Sequence, residues 1–111
     1  MAGPIFDTHA HYTAAAFDTD REAVFARLPA QGVTGVCEQA TSSGDAAACV
    51  ALAHQYPFVY AAVGIHPESL LPRGSCPDEM LAPTVTVYGG DWKAEMAAMA
   101  PLCAAPKGVG V

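Results

Sequence analysis

The feature that most constrains the fold is a regular alternation of short apolar runs with stretches of helical character. The strands predicted on these runs are Ile5–His9, Val33–Gln39 and Phe58–Ile65, and the last is apolar almost throughout, which is typical of a strand buried on both faces. Helices are predicted between them, over Phe17–Ala30 and Asp45–Gln55. Strands that alternate with helices of this length favour a parallel sheet covered by helices. We therefore expect an α/β fold that begins β-α-β-α-β.

The remainder of the chain continues this order after a long interruption. Pro67–Gly90 is rich in Pro and Gly and is predicted to be a long connection. A third helix is predicted over Asp91–Cys103, and Lys107–Val111 has the character of a fourth strand. A strand that starts in the last few residues would leave an open sheet edge. We therefore expect residues 1–111 to be one partial domain, the N-terminal portion of a longer (β/α) barrel.

Composition narrows the class of partner. Of 111 residues, 52% are hydrophobic and 14% are charged, which is typical of a globular domain, and the net charge is −6. This charge argues against a basic surface that neutralises nucleic-acid phosphates. The sequence contains no secretory signal pattern and no apolar run of membrane-spanning length. The four cysteines are widely spaced without a Cys-x-x-Cys pair, so we expect reduced thiols in a cytoplasmic protein.

Two histidines end the first apolar run, in the sequence Asp7-Thr8-His9-Ala10-His11. Alternate residues of a strand share a face, so His9 and His11 should point the same way, with Asp7 on that face. Converging neutral imidazoles are typical ligands of a divalent metal. We predict His9 and His11 as metal ligands, and Asp7 as the carboxylate that orients a ligating imidazole from behind. The alternatives are that His9 and His11 are two polar loop residues, and that Asp7 is a barrel-interior carboxylate paired with a partner beyond this chain.

Further polar residues follow the second and third strands. His66, in Gly64-Ile65-His66-Pro67, is predicted to contact a substrate phosphate or to transfer a proton, because barrel active sites lie at the C-terminal ends of the strands. The proline restricts His66 to extended conformations. Glu38 ends the second strand, where barrel chemistry can use it. His54, near the end of a helix, is interpreted as structural, since a cation there suits the helix dipole.

Five segments, in this order and spacing, resemble the TatD family of metal-dependent deoxyribonucleases. They are Asp7–His11, Phe17–Arg21, Gly32–Val33, Leu52–Pro57 and Tyr60–Pro67. The last is the most specific, because an apolar strand that runs directly into Gly-x-His-Pro is uncommon. The resemblance is clear up to about residue 67 and returns weakly at the third predicted helix.

The resemblance implies a TIM-like barrel that holds divalent metal ions, Mg²⁺, Mn²⁺ or Zn²⁺, and hydrolyses DNA, with single-stranded DNA trimmed from its 3′ end. It implies that His9 and His11 are metal ligands and that His66 lines the site of the DNA phosphate. The family's other ligands, a Glu after the fourth strand, two further His and an Asp, have no counterpart in this chain.

Two other functions stay open at this point. The His-x-His pattern is shared with amidohydrolases, metal-dependent enzymes that cleave C–N bonds, whereas Gly64–Pro67 favours the nuclease. The third possibility is an inactive fragment, because catalytic zinc sites generally use three protein ligands and this chain offers two of the family's set.

Overall fold

A parallel sheet of four strands forms the centre of the chain. The computed structural model describes residues 3–66 and 92–110. Within them the strands are β1 (Ile5–Ala10), β2 (Val33–Gln39), β3 (Val59–Ala62) and β4 (Gly108–Gly110). The spatial order is β1-β2-β3-β4, and every neighbouring pair is parallel. The predicted α/β fold with parallel strands is therefore confirmed, while the predicted long connection lies outside the described residues.

Three α-helices join these strands. They are α1 (Arg21–Arg27), α2 (Ser43–Gln55) and α3 (Trp92–Cys103), with short 3₁₀ turns at Ala15–Phe17 and Pro29–Gln31. In the described part of the chain, no helix is long and apolar enough to cross a membrane.

The first helix is shorter than its sequence pattern predicts. Asp18 and Asp20 precede α1 instead of forming its first turn, and Asp18 pairs with Arg21 at 2.8 Å. At the other end, Pro29 has no N–H to continue the α-helical hydrogen bonds, and it opens a 3₁₀ turn instead. Gly32 ends this turn, since it has φ 91°, a left-handed conformation that glycine adopts without strain.

Helix α2 begins with a capping box. The Ser42 hydroxyl accepts the Asp45 main-chain N–H, and the Asp45 carboxylate accepts the Ser42 N–H at 2.7 Å. The same carboxylate also accepts the main-chain N–H and the hydroxyl of Thr41, at 2.9 and 2.7 Å. Otherwise unpaired donors at the start of the helix are satisfied in this way. The turn between β2 and α2 is consequently held by a single side chain.

The C-terminal end of α2 is held by residues that lead into β4. The Lys107 ammonium donates to the main-chain carbonyls of Ala53 and Tyr56, the latter at 2.7 Å. His54 Nε2 lies 3.0 Å from the Pro106 carbonyl. A cation at a helix C-terminus is stabilised by the free carbonyls and the helix dipole. The structural interpretation of His54 agrees with this position.

One face of the sheet is buried against the helices. Its core residues come from the strands and from α1 and α2: Phe25, Leu28, Val36, Ala46, Cys49, Val50, Leu52, Ala53, Val59, Ala61 and Val63. Phe25 is the largest of them, and its ring stacks on Tyr56 with 4.5 Å between centroids. This apolar layer fixes the strand ends that carry the polar residues described next.

The start of β1 packs closely on the neighbouring strands. The Phe6 ring stacks with Tyr60 at 5.9 Å between centroids, and half of Phe6 remains exposed. Its ring lies directly over Gly35, where an added Cβ would come within 2.3 Å of two ring carbons. Glycine is therefore required at this position of β2 for the aromatic ring to lie on the strand.

Candidate metal centre

The C-terminal ends of the parallel strands bring the predicted site residues to one edge of the sheet. His9 and His11 lie at the end of β1, Glu38 and Gln39 at the end of β2, and His66 beyond the end of β3. Because the strands are parallel and adjacent, these ends meet on the same side of the molecule. In (β/α) barrels this is the side that carries the active site.

The two imidazoles at the end of β1 lie next to each other. The ring centroids of His9 and His11 are 5.1 Å apart and the ring planes cross at 76°. Both residues are exposed. The pairing of β1 with β2 is irregular between Asp7 and Ala10. The two rings nevertheless meet at an accessible position.

A main-chain carbonyl fixes the tautomer of His11. Nδ1 of His11 lies 3.0 Å from the carbonyl oxygen of Gln39 in β2. A carbonyl only accepts, so Nδ1 carries the proton and the neutral ring has its lone pair on Nε2. Metal-ligating histidines commonly donate their other N–H in this way. In this tautomer the Nε2 lone pair of His11 is free of the bond to Gln39, and Nε2 carries no proton.

The Asp7 carboxylate contacts the main chain of its own strand. Its Oδ1 accepts the backbone N–H of His9 at 3.2 Å, and Asp7 is half-buried. The contact orients the peptide that carries the His9 side chain. The proposed action of Asp7 on a ligating ring stays a prediction.

Glu38 is the most deeply buried charged residue in the described part of the chain. It has no exposed surface, and its Oε1 accepts the Thr13 main-chain N–H at 2.6 Å. Burial raises the pKa of this carboxyl, and hydrogen bonds from the Thr13 and Tyr12 backbone and the nearby His11 lower it in part. Its second oxygen, Oε2, has no hydrogen-bond partner among the described residues.

The loop after His11 is also held by Arg21 at the start of α1. Nε of Arg21 donates to the carbonyl of Tyr12 at 2.6 Å, and a terminal nitrogen donates to the carbonyl of Ala14 at 3.1 Å. Arg21 and Glu38 therefore bind the same peptide group, Arg21 at the Tyr12 carbonyl and Glu38 at the Thr13 N–H.

His66 lies beyond β3 at the same edge. Its main-chain N–H donates to the Thr41 carbonyl at 2.8 Å, which ties it to the turn that Asp45 holds. Since β2 separates β1 from β3, and neighbouring strands are spaced by 4.7–4.9 Å, the strand that carries His66 lies roughly 10 Å from the strand that carries His9.

Three of the four cysteines lie in the described residues, and all three are free thiols. Cys37 and Cys49 are buried free thiols and Cys103 is an exposed one. Burial raises the pKa of Cys49 to about 12, which keeps it protonated. The fourth cysteine, Cys76, lies outside the described residues.

Some contributors to the site are not visible in the sequence pattern. Gln39 acts through its main-chain carbonyl, which every residue has, so residue type gives no signal for it. Arg21 acts on carbonyls seven and nine residues before it, and its signal is only its place in the Phe17–Arg21 segment.

The imidazoles of His9 and His11 are side chains of a type that binds divalent metals. Neutral imidazole binds zinc and other first-row transition metals. The His11 hydrogen bond to Gln39 is the feature of the structure that fits this use. Among residues 3–66 and 92–110, no group of three or more His, Cys, Asp or Glu side chains is arranged to hold an ion. The described residues therefore offer a pair of imidazoles.

Comparison with known proteins identifies similar sequences. Over 63 residues the chain is 36% identical to the uncharacterized metal-dependent hydrolase YabD of Bacillus subtilis (strain 168). The aligned segment is 57% of this chain and 25% of that relative. Over 64 residues it is 39% identical to the uncharacterized metal-dependent hydrolase YjjV of Escherichia coli (strain K12). The aligned segment is 58% of this chain and 25% of that relative. The chain thus spans about a quarter of the length of these relatives.

The family whose sequences match is described as TatD related DNase, and the match covers residues 6–111. The parallel β-α-β order agrees with the N-terminal part of the TIM-like barrel of that family. Since the match covers nearly the whole chain, the chain belongs to the TatD family.

Proposed function

We propose that this chain supplies the first two metal ligands, His9 and His11, of a metal-dependent hydrolase that cleaves phosphodiester bonds of DNA. The observation that carries the proposal is the pair of adjacent exposed imidazoles, one with its tautomer fixed by Gln39, at the C-terminal edge of a parallel sheet. Family membership and the names of the two relatives, both metal-dependent hydrolases, support the same activity.

The chemistry at the phosphate comes from metal and protein together. A bound divalent metal, Mg²⁺, Mn²⁺ or Zn²⁺, lowers the pKa of a coordinated water and stabilises charge on phosphoryl oxygens. His66, at the same edge, contacts the substrate phosphate or transfers a proton. A metal at the phosphate also favours the approach of DNA to a chain of net charge −6. We expect the substrate to be single-stranded DNA, trimmed from its 3′ end.

Two imidazoles are fewer than the three protein ligands that catalytic zinc sites generally use. We therefore expect tight metal binding to need further ligands, as the family resemblance implies. We propose that Asp7 orients a ligating imidazole from behind, and its bond to the His9 main-chain N–H supports this role.

The test is hydrolysis of end-labelled single-stranded oligonucleotides by the complete protein with Mg²⁺ or Mn²⁺. His9→Ala and His11→Ala should each remove most of the metal-dependent rate. His66→Ala should lower the rate while metal affinity is kept. The matched control is His54→Ala, because this imidazole contacts Pro106, at the other end of α2.

Two results would contradict the proposal. If His9→Ala and His11→Ala keep the rate of the unsubstituted protein, the metal assignment is wrong. If the protein cleaves small amides in a metal-dependent manner and leaves oligonucleotides intact, the reaction is that of an amidohydrolase.

A further inference from the structure

The buried carboxylate of Glu38 has no part in the chemistry proposed above, although it lies beside the metal centre. Glu38 has no exposed surface, and one of its two oxygens has no partner among the described residues. Burying a carboxylate with an unsatisfied oxygen is unfavourable, and an apolar side chain of similar size is often as stable in such a position. Stability alone therefore does not account for a glutamate at this position.

What Glu38 does hold is the loop that follows His11. Its Oε1 accepts the Thr13 N–H at 2.6 Å, two residues beyond the imidazole. On the same loop, Arg21 donates to the carbonyls of Tyr12 and Ala14. Glu38 thus accepts the N–H of Thr13, and Arg21 donates to the carbonyls of the residues on either side of it. Together these bonds hold the loop backbone in one conformation.

The same strand end also holds the imidazole itself. Gln39, the residue after Glu38, provides the carbonyl that binds Nδ1 of His11. The main chain after His11 and the ring of His11 are thus both anchored to adjacent residues of β2. If the loop shifts, the His11 ring has to leave the Gln39 carbonyl or rotate.

We propose that Glu38 is a positioning residue for the metal centre: by binding the Thr13 N–H it holds His11 in the orientation in which Nδ1 is bonded to Gln39 and Nε2 is available to metal. The inference rests on the proposed function in one respect, that His11 ligates the metal. It assigns Glu38 no contact with metal or substrate.

The test compares Mn²⁺ affinity of the complete protein, measured by titration calorimetry, between two substitutions at this position. Glu38→Met fills a similar volume without an acceptor, whereas Glu38→Gln keeps an acceptor oxygen for Thr13. Loss of an outer contact to a ligating histidine typically weakens metal binding by about 10–100-fold. We expect Glu38→Met to lose affinity in this range and Glu38→Gln to recover most of it.

The matched control is Glu95→Met. Glu95 is also a buried carboxylate that accepts a main-chain N–H, that of Ser43 at the start of α2. This variant should bind Mn²⁺ as the unsubstituted protein does.

A second readout does not need metal. In long-range ¹H–¹⁵N NMR spectra of the metal-free protein, His11 should be protonated at Nδ1, and Glu38→Met should give a mixture of tautomers. Unchanged Mn²⁺ affinity in Glu38→Met, an equal loss in Glu38→Gln, or an unchanged His11 tautomer would overturn the inference. If instead His11→Ala keeps full Mn²⁺ affinity, the proposed function fails, and the NMR measurement still decides the role of Glu38.

Discussion

Asp45 is the residue whose removal should most sharply reveal how the turn after β2 is held. In Asp45→Ala, four donors lose their acceptor: the main-chain N–H groups and hydroxyls of Thr41 and Ser42, at distances of 2.7–3.1 Å. Thr41 in turn accepts the main-chain N–H of His66. The substitution should therefore affect both stability and the position of His66.

The magnitude follows from the number and kind of bonds that are lost. Loss of a helix N-cap costs about 0.5–2 kcal/mol, and a hydrogen bond to a charged group is worth about 1.5–3 kcal/mol. Because Thr41 and Asp45 are only half-buried, water replaces part of what is lost. We expect Asp45→Ala to lower the free energy of unfolding by about 2–3 kcal/mol, at the scale of one charged bond together with part of the cap.

The assay is urea unfolding of the complete protein, followed by circular dichroism. Asp45→Asn keeps one acceptor oxygen and should lie between Asp45→Ala and the unsubstituted protein. Asp18→Ala is the matched control, since it removes an exposed carboxylate whose ion pair with Arg21 is worth at most about 1 kcal/mol. A loss below about 0.5 kcal/mol in Asp45→Ala, the weakest effect known for a helix cap, would refute the reasoning.

Two further predictions concern packing and ionisation. Gly35→Ala should destabilise the protein by about 1–3 kcal/mol, because the new Cβ would overlap the Phe6 ring. The loss of stability should be smaller in the Phe6→Ala background. A double-mutant cycle of urea unfolding measures this difference. Equal losses in both backgrounds would contradict the overlap. Since burial raises the pKa of Cys49 from 9.0 to about 12, the native state keeps a proton that the unfolded chain releases. Stability should therefore fall as pH rises from 9 towards 12, and Cys49→Ala should reduce this slope; an unchanged slope would contradict it.

Much of the fold could be predicted because its signals are local. The bounds of β2 agree with the predicted Val33–Gln39, and α2 starts two residues before its prediction, at the capping box that Ser42 and Asp45 form. Apolar continuity predicted β3 but overestimated its length, since Phe58 and residues 63–65 lie outside the strand. Hydrophobicity reports burial, whereas a strand ends where its hydrogen-bonded neighbour ends.

The start of α1 was predicted too early for a different reason. Acidic residues before a helix and acidic residues in its first turn look alike in sequence. The backbone separates the two cases here, since Asp20 has φ −138° and ψ 10° and precedes α1. The partial apolar stripe from Phe17 gave no sign that a 3₁₀ turn precedes the helix.

The candidate site also has one part that the sequence predicts and another part that only the structure shows. The placement of His9, His11 and His66 at strand ends could be predicted, because it follows from the order of the strands, while their roles stay predictions. The contacts that orient them could not, because they run through main-chain groups of Gln39 and Thr41 that no side-chain pattern reports. The role of Glu38 depends on a bond to Thr13, 25 residues away in sequence, and required the structure.

The most direct test of the central claim is the position of the metal. Crystals of the complete protein loaded with Zn²⁺ or Mn²⁺ would give an anomalous difference map in which the strongest peak marks the ion. We predict a peak bound by both His9 and His11, with Nε2 of His11 as the ligand atom and its Nδ1 still bonded to the Gln39 carbonyl. A fully occupied ion that contacts neither imidazole would contradict the account.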